Sequence, residues 1–418
     1  MSQIQATPSN DALPGFIAPA VNNTDRTFSL YVHVPFCVTR CGYCDFNTYI
    51  SSDFGAGASH DSYASTAIKE LEFAADAMEK AGVDAKPLHS VFFGGGTPTL
   101  LQASDLASIL ERAQRLFGIA SGAEITTEAN PDSLTRDAVQ ELSAGGFNRI
   151  SMGMQSAVPH VLEVLERTHN PANVASATQW IREAGLYMSL DLIFGTPGET
   201  LQDWQISLDA VLQLQPDHIS AYGLIVEEGT KLAAQIRRGV YSNTDADDQA
   251  DKYVATEERL SAAGYRWYEI SNWAYDPKEQ NIHQSQHNLA YWRDQDWWGI
   301  GPGAHSHMAG YRWWNAKHPA AYASRVLDGM SPAVGDEVPD TDARLLEKIM
   351  LGVRLAEGLD LGSLAKISTE AAAQARTEAQ LLVSQKLIEP AALQQDKIVP
   401  TLRGRLLDDA ITRRLAGF

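Results

Sequence analysis

The only cysteines of this 418-residue chain, Cys37, Cys41 and Cys44, lie within eight consecutive positions. Three thiols in one loop cannot all pair as disulfides, because one is always left over. Thiolates are the usual ligands of iron–sulfur clusters, and a 4Fe–4S cluster normally takes four of them. Three ligands would leave one iron open to a small molecule. The spacing therefore predicts a 4Fe–4S cluster with one open corner.

Two other interpretations of these cysteines stay open. A structural zinc site usually takes four ligands in two separated pairs, so zinc would need a fourth ligand such as His33 or a more distant histidine. The cysteines could also be unreactive core residues. Against that interpretation, core cysteines seldom cluster with residues such as Arg40 and Gly42 in one loop.

Residues suited to an organic ligand follow the next two predicted strands. The glycine-rich turn at 94–99 would let the backbone approach a ligand closely, because glycine has no Cβ. Glu128 follows one strand later. A carboxylate at a strand end suits a ribose diol or an ammonium group, and the alternatives are a salt bridge or a helix cap.

Short apolar runs alternate with helical periodicities through the first half of the chain. Leu106 and Ile109 lie on the apolar face of one predicted helix, and Thr200 begins another with a capping-box-like sequence. Six strand–helix units in series imply parallel strands with right-handed crossovers. The predicted strands are residues 29–34, 90–93, 124–128, 149–153, 189–193 and 218–224.

A doubly wound sheet and an incomplete barrel both fit this alternation. The cysteine loop, the 94–99 turn, Glu128 and Gln155 all fall at the C-terminal ends of strands, which is where barrel folds collect their chemistry. We therefore expect an α/β fold with a partial parallel (βα)6 barrel. The predicted regions are a flexible leader (1–26), the barrel (27–225), an aromatic-rich α+β segment that completes it (226–334) and a small helical domain (335–418).

Two further segments outside the strands and helices are predicted to be irregular. Residues 335–340 read as a linker into the helical domain. Residues 245–248 read as a solvated acidic stretch without a ligand role.

Composition and charge exclude several classes of partner. The chain has 33 Lys and Arg against 52 Asp and Glu, a net charge of −19, which disfavours binding to nucleic acid. No apolar run is long enough to cross a membrane, although peripheral membrane contact is compatible with the sequence. Residues 1–23 contain no Lys or Arg and no sustained apolar stretch, so we expect no targeting peptide. With its free cysteines, the chain is expected in the cytoplasm.

The cysteine motif, with Tyr43 before its last cysteine, resembles the radical S-adenosylmethionine superfamily. Segments 31–36, 94–99 and 149–156 narrow the resemblance to the oxygen-independent coproporphyrinogen III oxidase family, from about Ser29 to the C-terminus. The oxidase branch has a further cysteine two residues after the third, and Phe46 stands there in this chain. The sequence Cys-Asp-Phe-Asn at 44–47 and the motif His-Asn-x-x-Tyr-Trp at 287–292 instead resemble the haem-chaperone branch.

The resemblance implies a radical S-adenosylmethionine barrel, a winged-helix-like C-terminal domain and S-adenosylmethionine bound to the open iron. Winged helices often bind DNA, but the acidic charge and the family argue against that role here. The resemblance implies that Tyr31, Tyr43, Gly95 and Glu128 belong to this cofactor site. Five further positions match contacts to a second S-adenosylmethionine in the oxidase, or line the rest of a single cavity: Gly96, Thr97, Gln155, Arg167 and Asp191. Arg167 and Asp191 could alternatively form a structural ion pair.

The resemblance also implies haem as cargo, delivered to haem-acceptor proteins such as respiratory enzymes, and is compatible with a homodimer. Histidine is the commonest proximal haem ligand, and aromatic side chains offer flat apolar walls to a porphyrin. His287 is thus the predicted axial ligand, with Asn288, Tyr291 and Trp292 beside it, and His283 and His305 are rivals. The competing prediction is a radical enzyme that oxidatively decarboxylates coproporphyrinogen III to protoporphyrinogen IX.

Overall fold

A computed structural model describes residues 13–22, 24–84, 86–167 and 170–417 of the chain. Within these residues, a twelve-stranded sheet forms the centre and a two-stranded sheet lies in the C-terminal part. The strands are β1 (Phe28–Val34), β2 (Leu88–Gly95), β3 (Ile119–Ala129), β4 (Arg149–Gln155), β5 (Tyr187–Phe194), β6 (His218–Gly223), β7 (Tyr265–Glu269), β8 (Asn272–Tyr275), β9 (Asp296–Ile300), β10 (His305–Met308), β11 (Tyr311–Asn315), β12 (Ala333–Glu337), β13 (Leu359–Asp360) and β14 (Lys397–Ile398).

The six predicted strands form the parallel centre of the large sheet. Strands β1 to β6 lie side by side in chain order, each parallel to the next. Their bounds agree with the prediction to within three residues except at β3, which begins at Ile119. The α/β class and the mostly parallel sheet are therefore confirmed.

At least one helix follows each of these strands. The capping box predicted at Thr200 is present, since Thr200 Oγ1 accepts from the Asp203 backbone at 3.1 Å and the Asp203 carboxylate accepts from Thr200 N at 2.9 Å. The helices are α1 (Ile17–Asn22), α2 (His60–Lys80), α3 (Ala103–Phe117), α4 (Arg136–Ala144), α5 (Pro159–Val164), α6 (Pro171–Glu183), α7 (Leu201–Gln213), α8 (Lys231–Arg237), α9 (Ala246–Ala262), α10 (Gln286–Trp292), α11 (Pro319–Leu327), α12 (Thr341–Gly352), α13 (Leu361–Ala365), α14 (Thr369–Ser384), α15 (Pro390–Leu393), α16 (Leu402–Arg405) and α17 (Asp408–Ala416), with a 3-10 turn at Pro98–Leu100.

The aromatic-rich segment extends the sheet at both edges. Strand β9 runs parallel to β1, and β10 to β12 continue antiparallel beyond it. At the opposite edge, β8 and β7 follow β6 in antiparallel order. Helix α10 of the same segment packs against β2. This placement brings the 287–292 motif to the interior side of the parallel strands.

Two segments predicted to be irregular are ordered. Gly335 belongs to β12 and pairs with Trp314, and a Cβ at this position would collide with the Trp314 ring, so glycine lets the strand run beneath the indole. The linker is therefore shorter than predicted, and the expected boundary at 334/335 falls inside β12. In the acidic stretch, Asp245 caps the first turn of α9 and Asp248 pairs with the buried Lys252 at 2.6 Å.

Part of the predicted flexible leader is helical. Residues 1–12 and 23 lie outside the described residues. Helix α1, however, buries Ile17 and Val21 completely in the main core, because two apolar side chains four positions apart share one helix face. Arg26 then pairs with the buried Asp296 at 2.8 Å, which ties this segment to β9.

The C-terminal residues have a hydrophobic core of their own. It contains side chains from α12, α14 and α17, among them Ile349, Ala379 and Ile411, and the two-stranded sheet of β13 and β14 lies beside it. Several short helices with a small antiparallel ribbon match the winged-helix-like expectation. In the part of the chain that the structure describes, no helix combines the length and apolar character required to traverse a lipid bilayer.

Candidate cofactor cavity

A cavity of about 650 Å³ opens among the parallel strands, and side chains from β1 to β6 line it. Successive side chains of a strand point to opposite faces, so every second residue faces the cavity. The register places Glu128, Ser151, Ser189 and His218 next to one another on one level, and all four line the cavity. The interior of this sheet is therefore polar.

The cysteine loop begins at the end of β1 and is anchored by backbone hydrogen bonds. Cys37 N donates to Tyr49 O at 2.9 Å, and Gly42 N donates to Leu165 O at 3.3 Å. Cys37, Cys41 and Cys44 are half-buried free thiols that all line the cavity. The structure thus brings the three predicted ligands to one space.

The donor set fits a cluster. Burial raises the pKa of Cys37 to about 11 and also raises that of Cys44, so a bound metal would have to displace their protons. Arg167 Nη1 lies 3.6 Å from Cys41 Sγ. No three His, Cys, Asp or Glu side chains of the described residues lie close enough to hold one metal ion. In a cubane each thiolate binds a different iron, and three separate thiols around one cavity suit that geometry.

His33, the suggested fourth zinc ligand, has both ring nitrogens engaged. Its Nε2 lies 3.0 Å from Asn47 O, an acceptor, so Nε2 carries the proton. Its Nδ1 then accepts from the Tyr31 hydroxyl at 2.9 Å. Burial lowers the pKa of His33, which keeps the ring neutral. The Tyr31 oxygen is consequently presented to the cavity as an acceptor.

The glycine turn brings backbone into the cavity wall. Gly95 has φ +106°, in the region that favours glycine, and a Cβ on Gly96 would collide with the Phe36 carbonyl oxygen. Gly96 N donates to Val34 O at 2.8 Å, and this hydrogen bond ties the turn to β1. Thr97 N donates to Phe36 O at 2.7 Å, which ties the turn to the residue that precedes the cysteine loop.

Glu128 and Asp191 supply two half-buried carboxyl groups. Glu128 Oε2 accepts from Gly95 N at 3.0 Å, so it serves as an acceptor for the turn rather than as a helix cap. Burial, and then the nearby Asp191, raises the pKa of Glu128 to about 8. Burial also raises the pKa of Asp191, against a hydrogen bond from Ser151 at 3.2 Å. Glu128 is therefore mostly protonated at neutral pH.

The remaining predicted cofactor residues also line this cavity. Arg167 donates to Gly153 O at 2.9 Å and contacts Cys41, while its charge acts on Asp191 only weakly. Gln155 has φ +62°, an unusual value for a side chain other than glycine, of the kind often found at functional sites. Burial raises the pKa of Tyr43, which lies beside Cys41 and Arg167.

The predicted haem ligand His287 is buried in the cavity wall. Ser90 Oγ donates to Ser29, so it accepts from His287 Nδ1 at 2.8 Å. The lone pair of Nε2 therefore accepts from the Tyr291 hydroxyl at 3.0 Å. Burial lowers the pKa of His287 to about 3, and its ring stacks on Phe92. Iron ligation through Nε2 requires that Tyr291 gives up this hydrogen bond.

The other haem candidates lie in different surroundings. Asn288 lines the cavity, with Nδ2 3.5 Å from the Tyr268 hydroxyl. Trp292 faces away, against the cluster that contains Tyr268 and Leu355. His305 is exposed and stacks on Trp314, and His283 lies 3.7 Å from Asp217.

Several cavity residues escaped the sequence analysis. Arg149, His218 and Thr126 line the lower part of the cavity, and their strands were read as uniformly apolar runs. The missed signal was alternation: residues at even spacing from Glu128 and from Asp191 face the same side. That parity selects Thr126 on β3 and Ser189 on β5.

Comparison with known proteins identifies the family. The Radical SAM superfamily model matches residues 31–211. The heme chaperone HemW of Mycobacterium tuberculosis is 43% identical over 406 residues, which cover 97% of this chain and 98% of that protein. The chain belongs to the HemW family. HemW of Bacillus subtilis is 32% identical over 79% of this chain and 84% of its own length.

A solved structure of Escherichia coli coproporphyrinogen III oxidase (HemN) has the same fold. It superposes with a TM-score of 0.80 at 21% identity, covering 99% of this chain and 96% of that one. Both the HemW sequences and this structure agree with the radical SAM barrel and helical C-terminal part expected here.

Proposed function

We propose that this chain is a haem chaperone of the HemW family, which binds a 4Fe–4S cluster and S-adenosylmethionine in the cavity and haem as cargo. The observation that carries this function is the 43% identity to a heme chaperone over 98% of that protein's length. The three thiols that face one cavity support the cluster.

Each cavity residue has a proposed task. Cys37, Cys41 and Cys44 would bind three irons, and the bound cluster supplies an open iron for the amino and carboxylate groups of S-adenosylmethionine. The Tyr31 oxygen and the Gly95 turn would contact the rest of that molecule. Protonated Glu128 would hold a proton for a ligand acceptor. The remaining lining residues would shape the cavity: Tyr43, Gly96, Thr97, Gln155, Arg167 and Asp191.

The proposed axial ligand stays His287, and the structure provides a sharp test of it. If Nε2 binds haem iron, Tyr291→Phe removes the competing hydroxyl and should tighten haem binding, whereas His287→Ala should weaken it and change the Soret spectrum. His160→Ala, at an exposed histidine that does not line the cavity, is the matched control. If Tyr291→Phe and His287→Ala both keep the wild-type haem affinity and Soret spectrum, the assignment of His287 is contradicted. The exposed His305 then becomes the next candidate ligand.

We further infer that the cargo goes to haem-requiring proteins such as respiratory enzymes, with peripheral membrane contact and homodimerisation as parts of the delivery. Placement in the cytoplasm follows from thiols that must stay reduced for the cluster. The deciding experiment is an anaerobic haem-transfer assay to an apo respiratory enzyme, with and without reconstituted cluster. Transfer that depends on the chaperone supports the proposal, and its absence contradicts it.

A radical oxidase is the alternative, and Phe46 is the residue that disfavours it. The position where the oxidase branch has a cysteine here carries an exposed phenylalanine at the cavity. Coproporphyrinogen III, dithionite and S-adenosylmethionine in an anaerobic assay should yield no protoporphyrinogen IX. Its formation would replace the chaperone proposal by the enzymatic one.

A further inference from the structure

The lower part of the cavity, called the floor from here on, is formed by Thr126, Arg149, Ser189 and His218. These residues come from β3, β4, β5 and β6, and each is at most 3% exposed. The register places Thr126 beside Arg149, two residues before Glu128 and Ser151, and it places Ser189 beside His218 on the level of Glu128. The floor therefore gathers polar side chains from four neighbouring strands.

Three polar groups of the floor have no hydrogen-bond partner among the residues that the structure describes. They are Thr126 Oγ1, Arg149 Nε and His218 Nδ1. Buried polar groups in native proteins are nearly always satisfied by protein, water or ligand. Three unsatisfied groups around one cavity thus indicate that something else supplies their partners.

The hydrogen bonds around His218 fix which groups are donors. The Tyr268 hydroxyl oxygen accepts from Ser285 N at 3.3 Å and from Asn288 Nδ2 at 3.5 Å. Its own hydrogen therefore points to His218 Nε2, 2.8 Å away. Burial, with the nearby Arg149, lowers the pKa of His218 well below its usual value, so the ring is neutral. The single imidazole proton is then on Nδ1, which is a donor without an acceptor.

Arg149 adds a guanidinium, whose charge is paired with Glu124, to this donor set. Its Nη2 donates to His283 O at 2.8 Å and its Nη1 reaches Ser189 Oγ at 3.3 Å. Its Nε lies 3.4 Å from Glu124 Oε2, but the Glu124 carboxylate already accepts hydrogen bonds from the start of α10. Glu128, two residues beyond Thr126 on β3, is mostly neutral near pH 7, since its pKa is about 8.

We propose that the floor is a binding subsite for the carboxylate group of a ligand. A guanidinium, an imidazole N–H and a hydroxyl belong to side chains that line this part of the cavity, and a carboxylate has two oxygens that accept from several donors. The carboxylate comes either from the propionate side chain of a tetrapyrrole or from a free small carboxylic acid. The subsite follows from the cavity alone and does not depend on haem transfer.

Propionate and propionamide are the first pair of probes, because they share a shape and differ in charge. Calorimetric titration of the whole protein should show propionate binding more tightly than propionamide. Thr126→Val keeps the side-chain shape, removes only the hydroxyl, and should weaken propionate binding about tenfold. Thr127→Val is the matched control, since Thr127 is equally buried on the same strand but does not line the cavity.

Haem and haem dimethyl ester then distinguish the two sources. If the tetrapyrrole supplies the carboxylate, haem binds Thr126→Val more weakly than wild type, and the ester binds wild type as weakly. If Thr126→Val weakens the binding of propionate but not that of haem, the ligand is a free carboxylic acid. The proposal is overturned if wild type binds propionate no better than propionamide and Thr126→Val leaves haem binding unchanged, because the floor then holds water only. Failure of haem to bind at all bears on the chaperone function, and the propionate result still decides the subsite.

Discussion

The two ends of the cavity are built in different ways. The mouth consists of the cysteine loop and the Gly95–Gly96 turn, which present half-buried thiols and backbone groups. The floor consists of side chains from four strands, each at most 3% exposed, held by hydrogen bonds to the loop before α10 and to β7. A substitution at the mouth should therefore change the cofactor and spare the fold, whereas one at the floor should change both.

The largest effect is expected at the mouth. Cys41→Ala leaves two thiolates, so anaerobically reconstituted protein should lose nearly all cluster iron and acid-labile sulfide, measured chemically. The fold of the apoprotein should persist, because Cys41 is only half-buried. Thr39→Ala, at an exposed position of the same loop, should keep the full content. Wild-type iron in Cys41→Ala would show that this thiol is not a ligand.

At the floor, Arg149→Met should destabilise the protein by about 3–5 kcal/mol, because it leaves Glu124 buried without its cation. Urea unfolding of the apoprotein measures this free energy. Arg115→Met, which breaks an exposed pair with Glu111, should cost less than about 1 kcal/mol. If Arg149→Met and Arg115→Met lower the free energy of unfolding equally, the distinction between the buried floor and the exposed surface is wrong.

Glu128, which adjoins both the Gly95 turn of the mouth and the strands of the floor, predicts a pH dependence. The pKa of Glu128 is about 8 in the folded protein, above the usual 4.5, so the folded state favours the protonated carboxyl group. The contribution of Glu128 to the free energy of unfolding is therefore lost as the pH rises from 4.5 to about 8. The unfolding free energy of wild type should fall relative to Glu128→Gln by about 1.4 kcal/mol per pH unit. Glu70 and Glu269, with pKa values raised to about 7, titrate in both proteins and cancel. If the unfolding free energies of wild type and Glu128→Gln change in parallel with pH, the raised pKa of Glu128 is contradicted.

The smallest effect is expected for Phe46→Ser. Phe46 is 59% exposed at the mouth, so its replacement should change the unfolding free energy by less than about 0.5 kcal/mol. Cluster content, determined alongside, should stay at the wild-type level. A large loss of stability would mean that the mouth is part of the folding core.

The same contrast explains what the sequence alone could predict. The mouth is local: three cysteines in eight residues and a run of glycines are visible without a fold. The parallel strands were predictable because apolar runs alternate with helical periodicities. The polar interior was missed, since Thr126 and Ser189 stand within runs that read as buried and apolar on both faces.

Long-range pairings account for the other differences. Helix α10 begins where Glu124, some 160 residues earlier, accepts its first backbone N–H groups. Likewise β9 joins the sheet beside β1, far from its neighbours in sequence. Local propensity carries no information about such partners. The engaged lone pair of His287 is different, because its partner Tyr291 lies four positions along the same helix and belongs to the same motif.

The most direct test of the cavity as a cofactor site is the electron paramagnetic resonance spectrum of reconstituted, dithionite-reduced protein with and without S-adenosylmethionine. We expect the signal of a reduced 4Fe–4S cluster whose g values shift when S-adenosylmethionine binds the iron that lacks a cysteine. The account is contradicted if the g values of the cluster signal do not change when S-adenosylmethionine is added. It is also contradicted if the reconstituted protein contains zinc and no iron.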